Sequence, residues 1–426
     1  MQENNKPTWI WYPGDFEIWL GNIFNNRRTE RGAMFPPFWK QDSHYVTVEF
    51  SKVFTLEHEE TITIASEGQF NFQLDGKLQF PANTYTIPKG EHKLNLKVWN
   101  QATPPALYIE GETIKTDSTW LATYEDKLWI DENGVAHGSG IYVPAASWCF
   151  DSPGTPPSHY QLERREERPV GSEQIAANAT LYDFGRETFG YLKVSDLQGT
   201  IRIYYGESRE EALDKEHCET LDVVTSQRST LNAHLQSKAF RYVYIEKEEG
   251  ATYADVLMDY EYAPHDLSHS GSFRCSDDEL NKIWEVGAYT MDLTTREFFM
   301  DGIKRDRWTW SGDAIQSYLM NYYLRFDSEC VKRTIRQLRG KDPVTAHINT
   351  IMDYTFYWFK SILDYYQYTA DVDFVREMWP RMVTMMDYVL SRTIATPHSQ
   401  RENDQGMAEG QPDDWIFVDW VDFPMH

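Results

Sequence analysis

Basic residues, cysteine and long apolar runs are all scarce in this chain, and each scarcity closes off a class of function. Lys and Arg number 41 against 66 Asp and Glu, a formal net charge of −25. A phosphate backbone or an anionic membrane surface is repelled by such a field, so neither nucleic acid nor membrane is expected as a partner. No apolar stretch approaches the ~18 residues that a membrane span needs. The opening MQENNKPTWIW lacks the basic and apolar regions of a signal peptide. The expected compartment is therefore the cytoplasm, or an exported or periplasmic one for a mature form. Cys149, Cys218, Cys275 and Cys330 stand too far apart for a disulfide framework or a CxxC site and are expected as buried thiols. There is also no HExxH, no GxSxG and no Gly-rich phosphate loop, so no cofactor is expected. His217 beside Cys218 reads as structural rather than as a metal pair. Nothing in the sequence fixes an oligomeric state.

Aromatic residues are abundant instead, with 15 Trp, 26 Tyr and 22 Phe. Aromatic faces stack on sugar rings, and rings also fill large β cores; composition leaves both uses open.

The first third carries a β pattern. Val46, Val48 and Phe50 alternate with polar residues, as do Ile62 and Ile64, and Leu94, Leu96 and Val98. Phe70, Phe72 and Leu74 lead into Asp75-Gly76 and a return through Leu78 and Phe80, a strong hairpin signal. Short strands at this spacing predict a β-sandwich over residues 1–150. The loose stretch DSPGTPPS then separates a second β-rich block, with YDFGRETFGYLKV, IRIYYGE and AFRYVYIE, expected as a second sandwich over 151–268. Beyond Ser270 the period changes. Ser276-Asp277-Asp278-Glu279 reads as a capping box. Leu280, Ile283, Trp284, Gly287, Ala288 and Met291 follow at helical steps. Ile315 to Phe326 forms a second stripe. Ser328 opens a third helix closed by Gly340, and further helices are expected from Tyr354 to Tyr368 and from Asp373 to Ser391. Residues 269–426 are thus helices joined by loops.

Between the first two helices lies FFMDGIKRDRWTWSGD. A surface loop gains little from Trp308 and Trp310, and a core does not want Asp301, Lys304, Arg305, Asp306, Arg307 and Asp313. The mixture suits a pocket for a polar, ring-shaped molecule. Glycosidic cleavage needs one carboxylic acid to protonate the leaving oxygen and a second carboxylate to activate water or to attack. Asp301, Asp306 and Asp313 offer carboxylates, and Lys304, Arg305 and Arg307 can orient them or bind hydroxyls. Gly312 allows a close backbone approach ahead of Asp313, which suits a helix N-terminus. The structural alternative is a capping Asp313, core tryptophans and a loop tied down by its arginines. Spacing alone does not choose.

DGIKRDRWTWSGD resembles the signature segment of the inverting α-L-rhamnosidases, glycoside hydrolases built on an (α/α)6 barrel. YDFGRETFGYLKV, IRIYYGE and GSFRCSDDELNKIWEVGAYT resemble that family's β-domain and first barrel helix. The resemblance implies a carbohydrate or glycoside substrate, with Asp306 as general acid. It implies Asp301, Arg305 and Asp313 as ligands of sugar hydroxyls, and Trp308 and Trp310 against the apolar face. Asp306 stands where the family usually has Glu, and Gly302-Ile303 replaces Cys-Pro. A later acidic and aromatic segment, DDWIFVDWVDF, matches more weakly and adds Asp419 and Trp420 to the expected pocket. The family's general base, a Glu of the second half of the barrel, has no matching position. Twelve helices of about 11–12 residues with connections need roughly two hundred residues or more, and Ser270 to His426 falls short of that. An incomplete barrel is expected. Two rival readings remain: an enzyme on the same frame acting on another sugar, and a non-catalytic carbohydrate-binding protein.

Overall fold

The computed structural model describes residues 6–25, 29–31, 42–125, 141–226, 233–264, 268, 270–395 and 405–408. It combines antiparallel sheets with seven α-helices among the described residues, and the chain forms two compact units. Unit one comprises Met1–Asn22 and Gln41–Gln161, and unit two comprises Ile23–Lys40 and Leu162–His426.

In unit one, a five-stranded and a six-stranded sheet contribute to one apolar core. Strands Thr47–Leu56 and Gly90–Trp99 pair along their full length. They send Val48, Phe50, Leu94, Leu96 and Val98 inward at full burial, as period two requires. Ile62 and Ile64 enter the same core from the other sheet. Asp75 and Gly76 take φ of 51° and 75°, the mirror-image turn that matches strand twist. The return strand is shorter than the alternation suggests. It ends at Leu78, and Leu78 and Phe80 are exposed, because only Lys77–Leu78 pairs back. Helix α1 (Asp15–Asn25) fixes Phe16 among Trp11, Phe150 and Tyr160.

The β part of unit two is one eight-stranded sheet rather than two separate ones. The reason is its 16-residue strand Ala179–Val194, which pairs with Lys238–Lys247 through its first part and with Val256–Tyr262 through its second. The register shifts between Asp183 and Thr188, a bulge that bends the strand. A short helix α2 (Arg209–Leu213), capped by Ser208, packs beside the sheet. Of the thiols, Cys218 and Cys330 are buried but Cys149 is exposed. The His217 ring faces Asp214.

The helical part begins with α3 (Asp278–Thr294). Asp277, not Ser276, is its cap, accepting from the Glu279 and Leu280 amides. Then follow α4 (Ser311–Leu324), α5 (Ser328–Arg339), α6 (Met352–Thr369) and α7 (Val372–Ser391). Asp327 caps α5, and Gly340 ends it at φ 65°. Helices α4 and α6 run side by side in the same direction. Trp310 meets Tyr354 at their starts, and Tyr322 stacks on Tyr368 at their ends, with centroids 4.2 Å apart. The loop before α4 therefore lies at the N-terminal end of two parallel helices.

Candidate functional site

The loop from Met300 to Trp310 is pinned at several points, each traceable to a residue of the charged segment. Asp301 closes it upon itself. Its amide donates to the Trp308 carbonyl at 3.0 Å, and its Oδ1 accepts from the Trp308 amide at 2.8 Å. Ile303 enters the core of the sheet. Lys304 donates to Glu211 Oε1 at 2.6 Å and lies 3.4 Å from Glu207. Arg307 is 1% exposed. Its Nη1 donates to the Ser237 carbonyl at 2.8 Å and to Thr29 Oγ1 at 3.1 Å, and its Nη2 to Ser237 Oγ at 2.7 Å. Its guanidinium also lies over the Phe189 ring.

Between these anchors the backbone is strained. Asp306 and Arg307 both take left-handed φ, 54° and 51°. For residues with a Cβ this costs on the order of 1–3 kcal/mol each and persists only where the surroundings impose it. Strain of this kind gathers where a side chain must be presented in one direction.

At the far end of the loop, Trp308 and Trp310 are buried with Ile351 and Tyr354. Gly312 lies against Tyr354 so closely that a Cβ there would come within 2.6 Å of the ring. The close approach expected of this glycine is thus made to a tyrosine. Ser311 donates to the Tyr354 carbonyl through its hydroxyl and to Asn349 Oδ1 through its amide. Asp313 sits in the first turn of α4 and is not its cap; Trp310 holds that position.

Asp301, Arg305 and Asp306 line a cavity of about 830 Å³, together with Lys304, Glu30, Arg31, Glu207 and Glu219. That size suits a small ligand. Burial pushes the Asp301 carboxyl up to about 8, helped by the charges of Asp306 and Asp313 and opposed by the Trp308 amide. Asp313 is raised too, by burial and then by Asp306. For Asp301 the arginines of the loop therefore do not prevail over desolvation. An acid that holds its proton near neutral pH can donate a hydrogen bond as well as accept one.

Trp308, Trp310 and Asp313 are not among the residues lining the cavity, and the tryptophans form its support through the loop. Asp419 and Trp420 lie outside the described residues. Glu30, Glu207 and Glu219 were not expected on the cavity wall. Glu207 is the last residue of IRIYYGE, yet a glutamate after a strand carries no sign of which side chain it will face. Glu187 is a further surprise. Both its carboxyl oxygens are out of solvent and without a hydrogen-bond partner among the described residues. Its neighbours are Glu207, Glu211 and Lys304, and burial first, then Glu207, pushes it up to about 8.

Comparison with known proteins gives two adjoining matches. The family model described as alpha-rhamnosidase-like, bacteroidetes, N-terminal, matches residues 48–245. That of the bacterial alpha-L-rhamnosidase six-hairpin glycosidase domain matches 268–425. Among solved structures, the chain is similar to a rhamnosidase from Klebsiella oxytoca with rhamnose bound. The identity is 19% and the TM-score 0.48, over 61% of this chain and 61% of that one. It is also similar to an alpha-L-rhamnosidase from Dictyoglumus thermophilum, with 17% identity and a TM-score of 0.44, over 92% of this chain and 52% of that one. A third is the Streptomyces avermitilis alpha-L-rhamnosidase complexed with L-rhamnose, at 14% identity and a TM-score of 0.43, over 83% and 43%. The chain thus spans 61% of the first of these proteins and about half of the second. No curated protein matches it significantly.

Proposed function

The chain belongs to the α-L-rhamnosidase family of glycosidases, and on that premise we propose that it serves to cleave terminal α-L-rhamnosyl residues from a glycoside by hydrolysis with inversion. The chain spans only part of the length of the rhamnosidases it matches, so the activity is proposed from the family and the site. Residues 269–426 are taken as part of an (α/α)6 barrel, preceded by β-domains over 1–150 and 151–268.

The observation that carries the reading is the placement of Asp306. It lines the cavity beside Asp301 and Arg305, on a left-handed backbone within the segment matched by the glycosidase model. Asp306 is proposed as the general acid that gives its proton to the departing oxygen. A second carboxylate, the family's Glu of the later barrel helices, would activate water on the opposite face of the sugar. Asp301, protonated near neutral pH, would donate to one sugar hydroxyl, and Arg305 to another. Asp313 would act through the same hydroxyl network. Trp308 and Trp310, buried off the cavity wall with Ile351 and Tyr354, are proposed to back the loop that carries Asp306, and Asp419 and Trp420 are proposed as further pocket residues.

The test is hydrolysis of aryl and alkyl α-L-rhamnosides by this chain, as wild type and as Asp306→Asn. General-acid catalysis contributes about 10²–10⁴-fold. Asp306→Asn should therefore lose roughly that much on alkyl leaving groups, and far less on nitrophenol, which departs without a proton. Equal loss on both would remove Asp306 from the role. Turnover of another sugar in place of rhamnose would favour the rival enzyme on the same frame.

A further inference from the structure

Asp306 stands on an unusual backbone. Its backbone and that of Arg307 both stand in the left-handed region, φ 54° and 51°, which disfavours any residue with a Cβ. Within the turn the Arg307 amide donates to the Arg305 carbonyl. What imposes the conformation lies on the next side chain. The Arg307 guanidinium is buried and reaches three acceptors on two separate segments, the Ser237 carbonyl, Ser237 Oγ and Thr29 Oγ1. The aromatic face of Phe189 fixes its plane, at 4.8 Å from the ring centroid. A planar fork with several donors can hold such a geometry, whereas a single ammonium on a flexible stem cannot.

We infer that Arg307 is a positioning residue for the site: its buried guanidinium holds the left-handed pair 306–307 and thereby sets Asp306 on the cavity wall. This inference rests on the proposed role of Asp306. It assigns Arg307 no contact with substrate. The sequence invites the opposite reading, since an arginine beside the candidate acid looks like a ligand for sugar hydroxyls. Arg305 lines the cavity, and Arg307 does not.

Two kinds of variant separate a held backbone from ordinary packing. Arg307→Ala removes the anchor and keeps a Cβ in the unfavourable region. Arg307→Gly removes the same anchor but accepts positive φ without cost. Arg307→Lys keeps a charge and loses the fork. Hydrogen exchange is read in the 426-residue chain at the Trp308 amide, which donates to Asp301 Oδ1 and so reports whether the loop is closed. Exchange there should quicken at least tenfold in Arg307→Ala and in Arg307→Lys, and less in Arg307→Gly, while amides of α4 and α6 keep their wild-type rates. In the rhamnosidase assay the Ala and Lys variants should lower kcat with KM nearly unchanged. The loss should be larger on alkyl than on aryl rhamnosides, the same signature as Asp306→Asn.

Unchanged exchange at Trp308 in Arg307→Ala would overturn the inference. So would full recovery of exchange and kcat by lysine, or equal behaviour of the Ala and Gly variants. If Asp306→Asn itself lost equally on both leaving groups, the acid assignment would fall. The exchange data would then still decide whether Arg307 holds the loop.

Discussion

Glu187 is the residue whose chemistry departs furthest from its place in the sequence. In YDFGRETFGYLKV it follows an arginine and reads as one polar position of a strand. The bulge between Asp183 and Thr188 turns it instead towards the Lys304, Glu207 and Glu211 group, where its oxygens find no donor among the described residues. Burial pushes its carboxyl up to about 8, so it binds a proton more tightly folded than unfolded. Between the ordinary carboxyl range near 4.5 and about 8, the folded state holds the extra proton. The associated stability is fully present below that range and is lost as pH rises through 8. Glu187→Gln keeps the shape and cannot ionise. It should match the wild type at pH 4 and exceed it at pH 8, by on the order of a few kcal/mol. Urea unfolding of both chains at the two pH values measures the difference directly. A constant difference across pH would mean that Glu187 is solvated or paired in solution.

At the scale of elements, the link between loop and helices is the contact of Gly312 with Tyr354. Replacing a helical glycine by alanine ordinarily stabilises by up to about 1 kcal/mol. Here the added Cβ would meet ring atoms at 2.6 and 2.9 Å, and the ring is buried against Trp310. Overpacking of this kind costs about 1–3 kcal/mol. Gly312→Ala should therefore destabilise, with a changed tryptophan emission as the Trp310–Tyr354 contact shifts. A higher urea midpoint would show that the ring yields freely. The sequence announced the glycine's need for space but not what would occupy it, because Tyr354 lies on another helix. The same division runs through the fold. Alternation placed Val48, Phe50, Leu94 and Leu96, and helical steps placed α5, α6 and α7, because both patterns are local. Longer-range pairing escaped it. The long strand Ala179–Val194 pairs with two partners along its length and ties the block expected as a second sandwich into one eight-stranded sheet. Leu280 and Ile283 of the expected apolar stripe of α3 are about half exposed, because burial depends on what lies opposite. At the site, Asp301, Arg305 and Asp306 were legible from one segment. Glu30, Glu207 and Glu219 come from three others, and local pattern says nothing about their meeting.

For the whole molecule, the strongest statement the composition makes is its charge. At −25 overall, the long-range field is negative. The cavity wall repeats that sign, with Glu30, Glu207, Glu219, Asp301 and Asp306 set against Arg31, Lys304 and Arg305. Lys304 is already committed to Glu211, and Asp301 is largely neutral near pH 7. What remains is slightly acidic, inside an acidic protein. A neutral rhamnoside meets no penalty there. An aglycone carrying a carboxylate or sulfate is repelled at long range by the protein and at short range by the wall. The two contributions differ in their response to salt, since the Debye length falls from about 30 Å at 0.01 M to about 10 Å at 0.1 M. Dissociation constants for a neutral rhamnoside and its carboxylated counterpart should therefore differ most at low ionic strength. The difference should narrow severalfold by 0.1 M and keep a residue that further salt does not remove. Glu219→Gln, on the wall and outside the proposed catalytic loop, should shrink that residue and leave the salt-dependent part unchanged. Tighter binding of the anionic ligand at any salt concentration would mean that Arg31 and Arg305, rather than the carboxylates, govern what the cavity admits.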